Sequence, residues 1–230
     1  MDRSLESELI ESANVPQHLV ERAYRDLTRI HRLLRDTSAV ANAIRRNPFP
    51  IRRILDIGCG HGGVLRDLRR RLAVEVVGVD LRPPKIGLTD VPIICADAIR
   101  DPLPTADQAF SMNLAHHLCP DDLAALLRNV GRYCRRFILL DLVRHPLPLA
   151  LFRIFVAPLV SRLAAADGKV SVRRSYTPME LRDITAGALA GASASFRHHV
   201  SPFYIRQTVD IWYGPFNSTE SVAEQCSHVK

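Results

Sequence analysis

The chain has 230 residues, is 47% hydrophobic and 24% charged, and carries a net charge of +7 with a pI near 9.5. This describes a soluble chain with apolar material for one core, and it leaves nucleic acid or an anionic membrane surface open as partners. The charge is local: all but three of the 31 basic residues are arginines, and 13 Arg against four acids fall between Arg22 and Arg71, so the rest of the chain is slightly acidic.

Five scattered cysteines (Cys59, Cys95, Cys119, Cys134, Cys226) form no C-x-x-C pair and no Cys/His cluster of metal-ligand spacing. They read as reduced thiols of a cytoplasmic protein, and no metal is expected. The acidic start MDRSLESELIESANVP lacks the basic and apolar regions of a signal peptide. The most apolar stretch, Leu147 to Ala166, is broken by Arg153, Arg162, Pro148 and Pro158 and makes a poor membrane span.

In chain order, Val20, Ala23, Leu27, Ile30 and Leu34 mark an amphipathic helix over Leu19–Arg35, with Arg22, Arg25, Arg29 and Arg32 on its opposite face. Ile54–Ile57 reads as a buried strand that runs into Gly58-Cys59-Gly60-His61-Gly62-Gly63 and a helix over Val64–Leu72. Val76–Asp80 is a second strand, completing strand, glycine turn, helix and strand in about thirty residues. Further strands are expected at Ile93–Ala96, Gln108–Met112 and Phe137–Leu140, with a helix opened by Pro120-Asp121-Asp122. Thr177-Pro178-Met179-Glu180 starts another helix, which Gly187 should stop. Ala194–His198 and Tyr204–Trp212 close the pattern as a strand pair. Alternating strands and helices give an α/β class with a parallel sheet. Residues 1–50 read as an N-terminal helical cap, 51–214 as the main domain with a helical insertion near 146–170, and 215–230 as a flexible tail.

A glycine turn between strand and helix lets a ligand approach the backbone at a helix's positive end. Gly58, Gly60 and Gly63 also satisfy the dinucleotide pattern. Asp56, two positions before the first glycine, argues against a pyrophosphate and for a cationic group such as an amino-acid ammonium. Asp80 is placed to accept hydrogen bonds from a ribose diol, and Asp97, just past the third strand, from an exocyclic amine.

These runs, Leu55 to Gly62, Val76 to Asp80, Cys95-Ala96-Asp97 and Asn113 to Leu118, resemble the class I S-adenosylmethionine (SAM)-dependent methyltransferases over Arg53 to Asp141. The resemblance implies a Rossmann-like, seven-stranded, mostly parallel sheet with an antiparallel last strand and helices on both faces. An N-terminal helix and a helical cap after strand five complete that picture. It also implies SAM as cofactor and S-adenosylhomocysteine (SAH) as product. Asp56, Gly58, Cys59, Gly60 and Gly62 would hold the methionine part, Asp80 the ribose hydroxyls, and Asp97 with Ala98 the adenine; Leu81 and Asn113 join the same set. More narrowly, Arg25 to Leu34 and Ser171 to Pro178 are similar to small methyltransferases of the ubiquinone/menaquinone type, including those beside type III polyketide synthases. That likeness implies O-methylation of a phenol or quinol; His31 stands where that group has Asn.

If the acceptor must lose a proton, candidate bases are His116 and His117, then Asp141, Arg144 and His145, all where strands four and five should end. Only one of the two adjacent rings is expected to enter a pocket. Tyr176 and the His198-His199 pair are weaker candidates. The strand-four end Ser111-Met112-Asn113-Leu114 lacks the Asn/Asp-Pro-Pro-aromatic motif for planar amines, which disfavours nucleobase acceptors. Leu149, Phe152, Phe155, Val156 and Leu159 would line an apolar acceptor pocket. The expected partner is a hydrophobic small molecule, with peripheral contact to an anionic membrane surface left open and the oligomeric state unassigned. An RNA or protein methyltransferase docking through the Arg-rich half, and a non-catalytic SAM-binding subunit, are the alternatives.

Overall fold

Between residues 53 and 142, apolar runs alternate with helices whose buried residues recur at three- and four-residue steps, and the chain winds them into one sheet. The structure, a computed structural model, describes residues 1–11, 15–33, 36–83 and 90–214. The expected tail at 215–230, with Cys226, lies outside them. Helices α1 (Gln17–Leu33) and α2 (Asp36–Arg45) precede strand β1 (Arg53–Ile57), helix α3 (Gly63–Leu72), and strands β2 (Glu75–Asp80), β3 (Ile93–Cys95) and β4 (Ala106–Met112). Then come α4 (Pro120–Val130), β5 (Cys134–Leu142), α5 (Pro146–Leu151), α6 (Arg162–Arg174), α7 (Pro178–Leu189), β6 (Ala194–Val200) and β7 (Arg206–Tyr213).

The seven strands lie in the order β3-β2-β1-β4-β5-β7-β6. β1 pairs in parallel with β2 and β4, whereas β7 runs antiparallel to both β5 and β6, with Arg136 opposite Trp212. The expected Rossmann-like sheet with an antiparallel last strand is what forms. Strand order reverses between β1 and β4, so a crevice opens where their carboxyl ends part.

Side-chain alternation along each strand feeds two cores. Leu55, Ala109, Phe137 and Leu139 pack with Leu123, Leu127 and Leu181 on one face. Ile54, Phe110 and Ile138 meet Val40, Ile44, Leu65 and Leu68 on the other. Each core buries side chains worth about 1.5–3 kcal/mol apiece.

Several boundaries differ from the sequence expectation. Gly187 does not stop α7, which runs to Leu189 because Leu181, Ala188 and Leu189 are buried; the turn comes at Gly191, whose φ is +78°. The insertion reaches Arg174 and is broken at Ser161, whose side chain caps α6 through the Ala164 N–H. β7 starts at Arg206 because Phe203 and Tyr204 take positive φ values of 61° and 56° in a turn. The Thr177–Glu180 capping box is present as expected.

Residues 1–11 form a strap across α6 and the segment after β4. Arg3 donates to the carbonyls of Arg174 (2.6 Å) and Leu118 (2.8 Å), and the Leu9 and Ile10 N–H groups donate to Asp167 at 2.7 and 2.9 Å. Asp26 of α1 accepts the Ser161 N–H at 2.8 Å, tying α1 to the insertion. Among the described residues, no helix is long and apolar enough to cross a membrane.

Candidate active site

β1 delivers the chain into the glycine turn at the crevice. Gly60 has φ +51°, in the left-handed region that favours glycine, and a Cβ there would meet nothing within 4 Å, so open space faces this backbone. Asp80, at the end of β2, clips the turn: its carboxylate accepts the N–H groups of Gly60 and Arg82, each at 2.8 Å. Asp56 is 3% exposed. Among the described residues nothing donates a hydrogen bond to its carboxylate, and burial, with the Asp80 charge, holds that carboxyl well above the usual range. A buried acid without a donor is costly unless a cation or donor is supplied.

The crevice opens into a cavity of about 1030 Å³. Its lining includes Gly58, Gly60, Asp80 and Leu81, together with Asn113 at φ +57°. Apolar lining comes from the insertion: Pro148, Leu151, Phe152, Phe155 and Val156. Phe152 can lie against α6 only because position 168 is glycine; a Cβ there would meet the ring at 2.3 Å.

A polar group sits in the same cavity. His116, buried, holds Nδ1 2.7 Å from Asp141 Oδ1, and its backbone N–H donates to Asp141 Oδ2 at 3.0 Å. Its Nε2 lies 3.5 Å from Glu8 Oε1, and His117 Nε2 lies 4.0 Å from the same oxygen. Ser171 donates its hydroxyl to Glu8. Burial opposes charge on His116, but Asp141 and Glu8 outweigh it and push the imidazole up to about 9. Burial likewise opposes charge on Glu8, yet the His116 hydrogen bond and the two histidines hold it down to about 2.

Residues 54–136 match the family model of a methyltransferase domain. That stretch carries a methyltransferase domain. Among solved structures, the plantazolicin methyltransferase BpumL in complex with SAH is similar at TM-score 0.68 and 14% identity, over 90% of this chain and 93% of that one. Human N-acetylserotonin methyltransferase in complex with SAM gives 0.53 and 16%, over 91% of this chain and 63% of that one. The methyltransferase domain of bacterial CtHen1-C gives 0.57 and 14%, over 78% and 97%. At these identities the likeness speaks for the fold. No curated protein matches the sequence.

The fold brings together at this cavity seven of the residues expected from the sequence to hold the cofactor or act as base: Gly58, Gly60, Asp80, Leu81, Asn113, His116 and His117. Both histidine rings face the cavity, contrary to expectation, because residues 115–117 form a single tight helical turn with the rings 4.2 Å apart. Asp141 is off the cavity wall and hydrogen-bonds the His116 ring and backbone N–H. Cys59 turns its sulfur toward Gly78, where a Cβ would meet Sγ at 2.5 Å, and Gly62 precedes α3. Asp97 is not at the cavity: it closes its own turn, accepting the Ile99 N–H at 3.0 Å, while the Ala98 carbonyl accepts from Asn129 at 2.9 Å.

His145 is a correction as well. It caps α5 by accepting the Leu147 N–H at 3.1 Å and stacks on Tyr204 at 4.4 Å, away from the cavity. Arg144 is held by the Ser175 carbonyl and Glu180, Tyr176 donates to the Leu118 carbonyl at 2.8 Å, and His198 pairs with Gln207. Glu8 was missed. Nothing in its local spacing ties it to the turn after β4 or to α6.

Proposed function

We propose that the protein transfers a methyl group from SAM to the hydroxyl of a hydrophobic small molecule, a phenol or quinol. The observation that carries this reading is one cavity with three parts: the glycine turn with Asp80, apolar side chains from the insertion, and the Glu8–His116–His117 group.

The cofactor end fits SAM on features of this chain. Asp56 is a buried carboxylate to which nothing among the described residues donates, which suits an ammonium; Gly60 leaves its backbone open to a ligand; Asp80 lines the cavity with its carboxylate fixed in place. Bound SAM supplies an electrophilic methyl on a sulfonium. The protein's own share is alignment and dryness, since an in-line displacement gains most from holding the acceptor oxygen on axis. Phe152, Phe155 and Leu151 would hold an apolar ring system, and His116, fixed by Asp141, would orient the acceptor hydroxyl. The proton leaves at this polar end. A nucleobase finds no planar-amine motif at the end of β4, and nucleic acid is disfavoured.

Exposed Leu159 shares a surface hollow with Arg22, Arg25 and Arg29, and exposed Phe155 stands at the cavity rim. Apolar side chains beside arginines suit peripheral contact with an anionic bilayer, where a hydrophobic acceptor would dissolve.

The test is incubation with labelled SAM and a panel of alkylresorcinols, quinols and bulk RNA. Label in an extractable methyl ether is the expected result; label confined to RNA or protein overturns the acceptor assignment.

A further inference from the structure

We infer that Glu8, His116 and His117 form a binding site for a divalent transition-metal cation, with an open coordination position on the acceptor side of the cavity. No metal is expected from the sequence, because the ligands come from the strap and from the turn after β4 and have no motif spacing.

The geometry is that of a preformed three-ligand site. One donor atom from each residue lies within 4.8 Å of the others, and Glu8 Oε1 is 3.5 and 4.0 Å from the two Nε2 atoms. Ligands bound at about 2.0–2.1 Å around a tetrahedral cation sit about 3.3 Å apart, so contraction by about half an ångström suffices at these two edges. Two imidazoles and one carboxylate are a donor set suited to Zn²⁺, Co²⁺ or Mn²⁺.

The supporting contacts are those a metal site needs. Metal-bound histidine characteristically donates its other ring nitrogen to a carboxylate, which fixes tautomer and ring plane. His116 does this: Nδ1 meets Asp141 Oδ1 at 2.7 Å, while Asp141 Oδ2 takes the residue's own N–H at 3.0 Å. This aims Nε2 at Glu8. Glu8 is itself oriented by the Ser171 hydroxyl, and the strap that carries it is fastened by the Leu9 and Ile10 N–H bonds to Asp167.

Three protein ligands with a vacant position facing a cavity make a catalytic kind of site. Its role, though not the binding itself, rests on the methyl-transfer reading. A phenolic or quinol hydroxyl taking the open position loses its proton to water, because the cation stabilises the oxyanion. The oxygen then forms the O–C bond as the donor's C–S bond breaks, and that electron pair stays on sulfur, leaving SAH.

The test uses the full chain, stripped with chelator and titrated with Co²⁺ by visible absorption and with Zn²⁺ by calorimetry. SAH binding is measured on the same samples. Wild type should take up one equivalent of each ion. His117→Ala and Glu8→Gln should each weaken uptake by more than tenfold, and Ser171→Ala by about tenfold, with SAH still bound. His117 is partly exposed, so its replacement leaves the core untouched and keeps the comparison free of unfolding. Absence of stoichiometric uptake by wild type, or equal affinity in wild type and both ligand variants, overturns the metal site; retained SAH binding then leaves the methyl-transfer reading standing. Failure of wild type to bind SAH while it binds metal has the opposite meaning.

Discussion

Glu8, near one end of the chain, places Oε1 3.5 Å from Nε2 of His116, the residue whose other ring nitrogen is held by Asp141 on β5. This contact fastens the strap over the cavity and makes the acceptor end of the site depend on residues outside the sheet. In the metal-free protein it has a defined pH window. Glu8 is lowered from 4.5 to about 2, so its contribution is complete above 4.5 and lost as pH falls toward 2. His116 is raised from 6.5 to about 9, so its contribution is complete below 6.5 and lost as pH rises through 9. The pair should therefore stabilise most between 4.5 and 6.5, by roughly 3 kcal/mol relative to alkaline solution. Protection factors at the Leu9 and Ile10 amides, corrected for the intrinsic exchange rate at each pH, should be highest in that window and should fall above pH 9. A flat profile across it would contradict this.

Asp56 should respond to the cofactor. Its carboxyl is held well above the usual range, first by burial and then by the Asp80 charge, so the protonated form is favoured relative to an exposed carboxyl. An ammonium placed against it favours the carboxylate, and SAH binding should release a proton. Calorimetry in buffers of different ionisation enthalpy reads that release directly. Asp56→Asn should abolish it and lower SAH affinity by about tenfold or more, the value of a charge-assisted hydrogen bond. Proton release unchanged in Asp56→Asn would assign it to another group.

Legibility in the sequence followed the range of the forces involved. Strand, glycine turn and helix at 54–72 were readable because short apolar runs and glycines act locally, and Thr177-Pro178-Met179-Glu180 was readable because a capping box is complete within four residues. His145 and Asp97 misled for the same reason: each has a chemically suitable side chain at a strand end, yet local backbone N–H groups claim both. Glu8 was illegible because its partners are distant in sequence and are reached only once α6 and β5 are in place. Gly187 was overruled by the packing of α7, a tertiary effect that outweighs a propensity cost of about 1 kcal/mol.

Gly168 sets the shape of the apolar wall. A Cβ there would meet the Phe152 ring at 2.3 Å, so Gly168→Val must drive the ring into the cavity or out of it. Overpacking of this kind costs about 1–3 kcal/mol. The acceptor KM should rise severalfold while SAH affinity stays within about twofold, because position 168 meets the Phe152 ring and not the glycine turn. Equal losses at both ends would mean that the two halves of the cavity are not independent.

The arginines of α1 give the last test. Arg22, Arg25 and Arg29 border one hollow with Leu159, which is 76% exposed, and they belong to the segment 22–71 that holds 13 arginines against four acids. Each arginine near an anionic bilayer contributes about 1 kcal/mol, and the attraction fades within a Debye length. Flotation with phosphatidylserine-containing vesicles should therefore recover the protein at low salt and lose it at high salt. Replacing the three arginines with glutamine should weaken recovery by about 100-fold, and Leu159→Ser by less, with SAH binding untouched in both. Equal recovery with neutral vesicles, or none with anionic ones, would remove the membrane from the acceptor's route and leave diffusion from solution through the cavity mouth beside Phe155.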